Sequence, residues 1–295
     1  MKKVLFTGAG VAIVTPFCAD GSINFPKLGA LIEDQIANGT DAIIICGTTG
    51  ESSTLTHEEH SEAIAFTVKT VAGRVPVIAG TGSNDTAYCL KLSQEAEAHG
   101  ADGLLLVTPY YNKTSQAGLI RHFSCIADNV NIPIILYNVP SRTGMDIKPE
   151  TYLALSKHEN IVGIKEANGD ISALAKTAAL CGDSLALYTG NDDQIAAFMG
   201  MGGKGVISVL SNICPRVAHD IAAKYLEGDP KGGLALQLEY LDLCNDLFLD
   251  VNPIPVKEAM NMMGLDVGEC RMPLVPMSEG ARETLRGTLA RHGLV

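Results

Sequence analysis

The sequence predicts an α/β fold, a closed barrel of eight parallel strands and eight helices with a helical segment appended after it. Three observations carry that expectation. Short β-rich apolar runs recur eight times, each is followed by an amphipathic helical stretch, and polar residues gather just after the runs. Alternating strand and helix implies a parallel sheet, and eight such units imply closure into a (β/α)8, or TIM-type, barrel.

The expected strands are residues 10–14, 42–46, 75–79, 103–107, 132–137, 161–165, 185–189 and 205–209. Helical patterns occupy 26–38, 57–72, 86–99, 116–130, 149–156, 171–181, 194–201 and 215–226. Thr56 and Asp85 are suited to cap the second and third helices, and Gly39 and Gly100 to stop the first and third. A doubly wound open sheet is the competing architecture, but Gly8-Ala9-Gly10 precedes its strand and lacks the third glycine of a dinucleotide-binding turn. Beyond residue 226 the pattern turns purely helical, over 231–249, 254–263 and 278–292, with no linker before it. The expected division is therefore a barrel over 1–226 and a packed helical segment over 227–295.

At 295 residues the chain is long enough for one large barrel, and 46% hydrophobic content with 19% charged residues fits a globular protein with a sizeable core. The net charge of -11 argues against a nucleic-acid partner. No apolar run approaches the length of a membrane span, and glycines and Pro16 interrupt the first apolar stretch early, so no membrane association is expected. Eight cysteines, at 18, 46, 89, 125, 181, 214, 244 and 270, lie far apart without a CxxC pair and read as reduced, mostly buried thiols of a cytoplasmic protein.

The candidate chemistry centres on Ile161-Val162-Gly163-Ile164-Lys165-Glu166-Ala167. Strict alternation puts Lys165, Gly163 and Ile161 on one face, with Gly163 leaving room for the lysine. A lysine held among apolar neighbours loses hydration of its ammonium, which frees the amine to act as a Schiff-base nucleophile. The plain alternative is a strand-end lysine that reaches solvent or pairs with Glu166. In a barrel the active site lies at the C-terminal strand ends, so residues there test the idea. Gly47-Thr48-Thr49-Gly50-Glu51 after strand two offers N–H groups and hydroxyls suited to a small carboxylate, or an ordinary turn. Tyr137 ends strand five and can relay protons if its hydroxyl meets a threonine, or can be a core tyrosine. Arg142, just beyond, offers a bidentate fork for a second carboxylate. Gly190-Asn191-Asp192-Asp193 follows strand seven, and Ile207-Ser208 lies in strand eight. His57-Glu58-Glu59-His60 lacks the i,i+4 histidine spacing of a zincin helix, so it reads as a solvated helix start and no metal site is expected.

Together Gly47-Thr48-Thr49-Gly50-Glu51, Pro109-Tyr110-Tyr111, Tyr137-Asn138-Val139-Pro140-Ser141-Arg142-Thr143-Gly144, Ile164-Lys165-Glu166 and Asn252-Pro253-Ile254-Pro255-Val256-Lys257 resemble, in order and spacing, the dihydrodipicolinate synthases of the N-acetylneuraminate lyase superfamily. The likeness runs over essentially the whole chain. It implies a class I aldolase-type mechanism without cofactor or metal. Lys165 would form an imine with pyruvate, whose carboxylate rests at Thr48 and Thr49 with Ile207 closing the subsite. Gly190 would belong to the substrate pocket, and Arg142 would hold L-aspartate 4-semialdehyde. Tyr137, Thr48 and Tyr111 would form the proton relay, Tyr111 entering a neighbouring subunit's site. The resemblance further implies a homotetramer built as a dimer of dimers, and a cytoplasmic role in lysine biosynthesis. Ser52, His57, His60, Asn84 and Tyr110 resemble positions of an allosteric lysine pocket. Tyr88 stands where lysine-sensitive relatives carry an acidic residue, so weak or absent inhibition is expected.

Two further readings compete. A sialic acid or 2-keto-3-deoxy sugar acid lyase would share Lys165 and Tyr137 without needing Arg142. A non-catalytic metabolite-binding barrel would keep the pocket and not the reaction.

Overall fold

In the computed structural model, which describes residues 2–295, eight parallel strands close into one barrel in sequence order. They are β1 (Gly8–Ala12), β2 (Ala42–Ile45), β3 (Val77–Gly80), β4 (Gly103–Val107), β5 (Ile134–Asn138), β6 (Ile161–Glu166), β7 (Ala186–Thr189) and β8 (Gly205–Ser208). β1 closes the ring by pairing with both β2 and β8, Gly8 opposite Gly205 and Gly10 opposite Ala42.

Side chains divide between two apolar layers. Ile44, Ile78, Leu105, Ile135, Tyr188 and Ile207 fill the barrel. Val11, Ile43, Leu104, Leu106, Leu136 and Leu187 face outward into the layer shared with the helices. Phe6 stacks on Tyr188 with ring centroids 4.5 Å apart, and the Tyr188 hydroxyl donates to the Phe6 carbonyl, so the N-terminal end of the barrel is plugged.

Several strand limits differ from expectation for local reasons. The first strand begins at Gly8, so Gly8-Ala9-Gly10 lies inside β1 rather than before it. It ends before Val14, whose N–H donates to the Asn212 side chain instead of a strand. The third starts at Val77 because Pro76 has no N–H to give the ladder. In β6 the register slips between Ile134 and Ile135 of its partner, which pair with Ile161 and Gly163 respectively. The extra residue breaks strict alternation. Ile161 consequently packs in the outer layer and Val162 in the inner one, correcting the expected face of Ile161.

Helix starts carry the anticipated caps. Thr56 accepts from the Glu59 N–H while Glu59 returns a bond to the Thr56 N–H, and Asp85 accepts from Ala87. Gly39 and Gly100 follow their helices with φ of 84° and 89°, a conformation open to glycine without a Cβ penalty. The tail forms helices Pro230–Glu239, Leu241–Asp246, Ile254–Met262 and Glu279–Arg291. The single expected helix over 231–249 is thus two, meeting at Tyr240, which stacks on His292. Leu243, Val256, Met260, Leu285 and Leu289 join the outer apolar layer. Among the described residues no helix is long and apolar enough to cross a membrane.

Candidate active site

Lys165 stands near the end of β6, only 6% exposed, beside Tyr137, its partner in β5. Its Nζ lies 4.3 Å from the centre of the Tyr137 ring. Burial pulls the ammonium down to about 8, Asp192 works against that, and the Arg142 charge adds to it. A far larger fraction of this amine is unprotonated at neutral pH than of an ordinary lysine.

Glu166 does not pair with it. That carboxylate turns to the other face of β6, where it accepts from Asn138 Nδ2 at 2.9 and 3.1 Å, from the Tyr152 hydroxyl at 2.9 Å, and from the N–H groups of Ala167 and Asn168 at 3.0 Å. Burial holds it up at about 7. Its bonds fix the turn that follows Lys165.

Room for the lysine comes from Gly190 rather than from Gly163. A Cβ on Gly190 would stand 2.9 Å from Lys165 Cε, whereas one on Gly163 would meet the Ala186 carbonyl and the Tyr188 ring. Alternation along one strand pointed to Gly163; the closer approach is made by the neighbouring strand.

A cavity of about 250 Å³ is lined by Thr48, Tyr137, Val139, Arg142 and Thr143, together with Ser52, His60, Tyr88 and Tyr110. Lys165 is not itself among the lining residues; Tyr137, whose ring its Nζ approaches, is the side chain common to the lysine and the cavity. Burial raises the Tyr137 phenol, while Arg142 and the Thr48 hydroxyl pull it down. Tyr137 therefore keeps its proton at neutral pH and can pass it on.

The loop after β2 is held from the C-terminal segment. Thr49 Oγ1 accepts from Asn252 Nδ2 at 3.1 Å, and Arg142 Nη2 donates to the Asn252 carbonyl at 2.8 Å, so one residue of the tail touches both Thr49 and Arg142. Arg142 sits on a short helix, Pro140–Thr143, just beyond β5. Pro140 starts it and Gly144, at φ 66°, ends it.

Glu51 and Lys257, to which the sequence reading gave no role, form an ion pair at 2.9 Å with side chains 1% and 2% exposed. Lys257 Nζ also donates to the carbonyls of Glu269 at 2.8 Å and Thr15 at 3.2 Å, and Glu51 accepts the Arg271 N–H. Adjacent to a glycine and with φ 53°, Glu51 holds a left-handed turn that an internal ion pair locks in place.

Ile207 is fully buried in the barrel interior. Lys165, Thr49, Ile207 and Gly190 are not among the side chains lining the cavity of about 250 Å³, and neither is Tyr111, which at φ 67° is 91% exposed. Asn84 is likewise apart, bordering a separate cavity of about 420 Å³ with Asn112, Lys113 and Arg121. Of His57-Glu58-Glu59-His60, only Glu58 is fully solvent-facing. His60 is buried with Nε2 2.9 Å from the Gly80 carbonyl, Glu59 pairs with Arg271, and His57 lies 3.2 Å from Glu95, so the motif is a packed helix start rather than a solvated one. No group of three or more metal-ligating side chains assembles among the described residues. Five cysteines are buried, Cys270 is half-buried, and Cys18 and Cys125 are exposed; all eight are free thiols.

A barrel that buries a lysine of lowered basicity beside a protonated phenol, with a hydroxyl-bearing loop close by, is an arrangement suited to imine chemistry on keto acids. The sequence profile of the Dihydrodipicolinate synthetase family matches residues 5–292, and the chain belongs to that family. It is 56% identical to the 4-hydroxy-tetrahydrodipicolinate synthase of Thermoanaerobacter sp. (strain X514), over 99% of this chain and 98% of that one. The crystal structure of dihydrodipicolinate synthase from Aquifex aeolicus superposes with a TM-score of 0.96 at 44% identity, covering 98% of this chain and 99% of that one. The enzyme from Cyanidioschyzon merolae, solved with lysine bound, superposes with a TM-score of 0.96 at 36% identity, covering 99% of this chain and all of the other.

Proposed function

We propose that this chain is a lyase that condenses pyruvate with L-aspartate 4-semialdehyde to 4-hydroxy-tetrahydrodipicolinate, an early step of diaminopimelate and lysine biosynthesis. The observation that carries the reading is full-length identity of 56% to an enzyme named for that product, in a chain whose Lys165 is buried and weakly basic.

In this reading the free amine of Lys165 adds to the ketone carbon of pyruvate, and loss of water leaves a protonated imine. Removal of a C3 proton gives an enamine, whose carbon attacks the aldehyde carbon; the substrate's own amine then displaces Lys165 and closes the ring. Splitting carbon–carbon bond formation this way avoids a free carbanion. Thr48 and Thr49 receive the pyruvate carboxylate beside Ile207 and Gly190, and Arg142 receives that of the semialdehyde. Tyr137 and Thr48 carry protons, joined by Tyr111 from a second copy of the chain. Exposure of Tyr111 on the isolated chain supports a homo-oligomeric enzyme, which in this reading is a dimer of dimers, and the pathway suits the cytoplasm.

A sugar-acid lyase is not favoured by the relatives. Consumption of pyruvate with aspartate semialdehyde, run beside a 2-keto-3-deoxy sugar acid, tests the choice. Turnover with the semialdehyde alone is expected, together with a steep rise in semialdehyde KM in Arg142→Ala while the pyruvate imine still forms. Turnover of the sugar acid, or an unaffected Arg142→Ala enzyme, would contradict it.

A further inference from the structure

We propose that Asn252 is a positioning residue of the pyruvate site, whose side-chain amide turns the Thr49 hydroxyl so that its proton is free for the pyruvate carboxylate. The proposal deepens the reaction above and rests on it.

Thr49 is 2% exposed, and its Oγ1 accepts from Asn252 Nδ2 at 3.1 Å. A hydroxyl carries one proton and two lone pairs. With a lone pair taken by the amide, the proton points elsewhere, and among the described residues no protein group accepts it. The acceptor that fits is an anion arriving with the substrate, since a carboxylate oxygen gains more from such a donor than a neutral group does. The amide is fixed in the sense this requires. Asn252 is 6% exposed, and its Oδ1 is buried without a partner. The opposite orientation would set that oxygen against Thr49, capture the hydroxyl proton, and leave two buried N–H groups bare instead of one oxygen.

Both partners are held, so the bond cannot drift. The Thr15 hydroxyl donates to the Gly50 carbonyl at 2.7 Å and Lys257 Nζ donates to Glu51 at 2.9 Å, which pins the two residues after Thr49. On the other side, the Asn252 carbonyl accepts from Arg142 Nη2 at 2.8 Å, and the Ile254 N–H donates to the Val251 carbonyl at 2.9 Å. Lys257 belongs to the helix that begins at Ile254, so one segment of the tail grips the loop after β2 at two points. Side chain and backbone of Asn252 thus serve different groups. The side chain serves Thr49 and the backbone serves Arg142, so losing the amide should disturb pyruvate and spare the semialdehyde.

The test is steady-state kinetics of Asn252→Leu, which is close to asparagine in shape and lacks the amide, beside borohydride trapping of the parent enzyme with pyruvate. An adduct on Lys165 of the parent keeps the reaction assignment, whatever becomes of Asn252; no adduct removes both. Pyruvate KM should rise about fivefold, the worth of one net hydrogen bond, with kcat and semialdehyde KM within about twofold of the parent. An unmoved pyruvate KM, or an equal rise in both KM values, overturns the proposal. A second pair of variants leaves residue 252 untouched. Thr49→Val should raise pyruvate KM at least as much and Thr49→Ser should restore it; a Thr49→Val enzyme with the parental pyruvate KM overturns the proposal. The double variant Asn252→Leu with Thr49→Val should have a pyruvate KM no higher than Thr49→Val alone, because one residue acts through the other. Fully additive rises overturn that link.

Discussion

Gly190 and Lys165 touch where a side chain would not fit: a Cβ on residue 190 would lie 2.9 Å from Lys165 Cε and 3.0 Å from the Ala167 Cβ. Gly190 has no positive φ, so alanine is tolerated by the backbone and the crowding falls on the lysine chain and the Ala167 methyl. Gly190→Ala should fold, losing about 1–3 kcal/mol to overpacking. Its rate of imine formation should fall about tenfold or more, since a misplaced reacting group can cost that much. Stopped-flow trapping with pyruvate reads the rate; an unchanged rate would show that the lysine has slack.

The lowered basicity of Lys165 fixes the sign of a pH effect. With the ammonium at about 8, the reactive free amine falls about tenfold for each pH unit below that value and saturates above it. Imine formation should therefore rise from pH 6 to 8 and level off near 9. A rise continuing undiminished to pH 10 would mean an ordinary, solvated lysine.

The buried pair between Glu51 and Lys257 joins the loop bearing Thr48 and Thr49 to the helical tail. Lys257→Met leaves a carboxylate buried and unpaired, which costs about 3–5 kcal/mol. A thermal midpoint lower by about 5–8 °C is expected at this chain length. Adding Glu51→Gln should restore part of the loss, because the stranded charge is gone. A midpoint within about 2 °C of the parent for Lys257→Met would contradict the buried-pair account.

Tyr111, at 91% exposure, has almost nothing to pack against on its own chain. Tyr111→Phe should leave the thermal midpoint nearly unchanged while turnover falls about 10²-fold, the usual loss for a proton-transfer group. If the residue works in a neighbour's site, mixing inactive Tyr111→Phe and Lys165→Ala chains under subunit exchange should recover activity, since some sites then hold both groups. No recovery in verified mixed oligomers would place Tyr111 outside the reaction.

Much of this was legible along the chain. Eight strand-helix units are local patterns, and the capping of the second helix by Thr56 is set within four residues, so both survive without tertiary information. What failed needed a neighbour. The slip that turns Ile161 outward depends on how β5 pairs with β6, and the space beside Lys165 is made by Gly190 from the next strand rather than by Gly163 of its own. Glu51 and Lys257 are separated by 206 residues and Thr49 and Asn252 by 203, distances at which no periodicity reports contact. Residues with chemical character at strand ends were recognisable; the frame that orients them was not.

The proposed reaction begins with one amine, on Lys165, capturing pyruvate. Incubation with pyruvate and borohydride followed by peptide mass spectrometry measures it directly. A single reduced pyruvyl adduct on Lys165, absent from Lys165→Ala, is the predicted result. Failure to trap any adduct, or an adduct on another lysine that persists in Lys165→Ala, would contradict it.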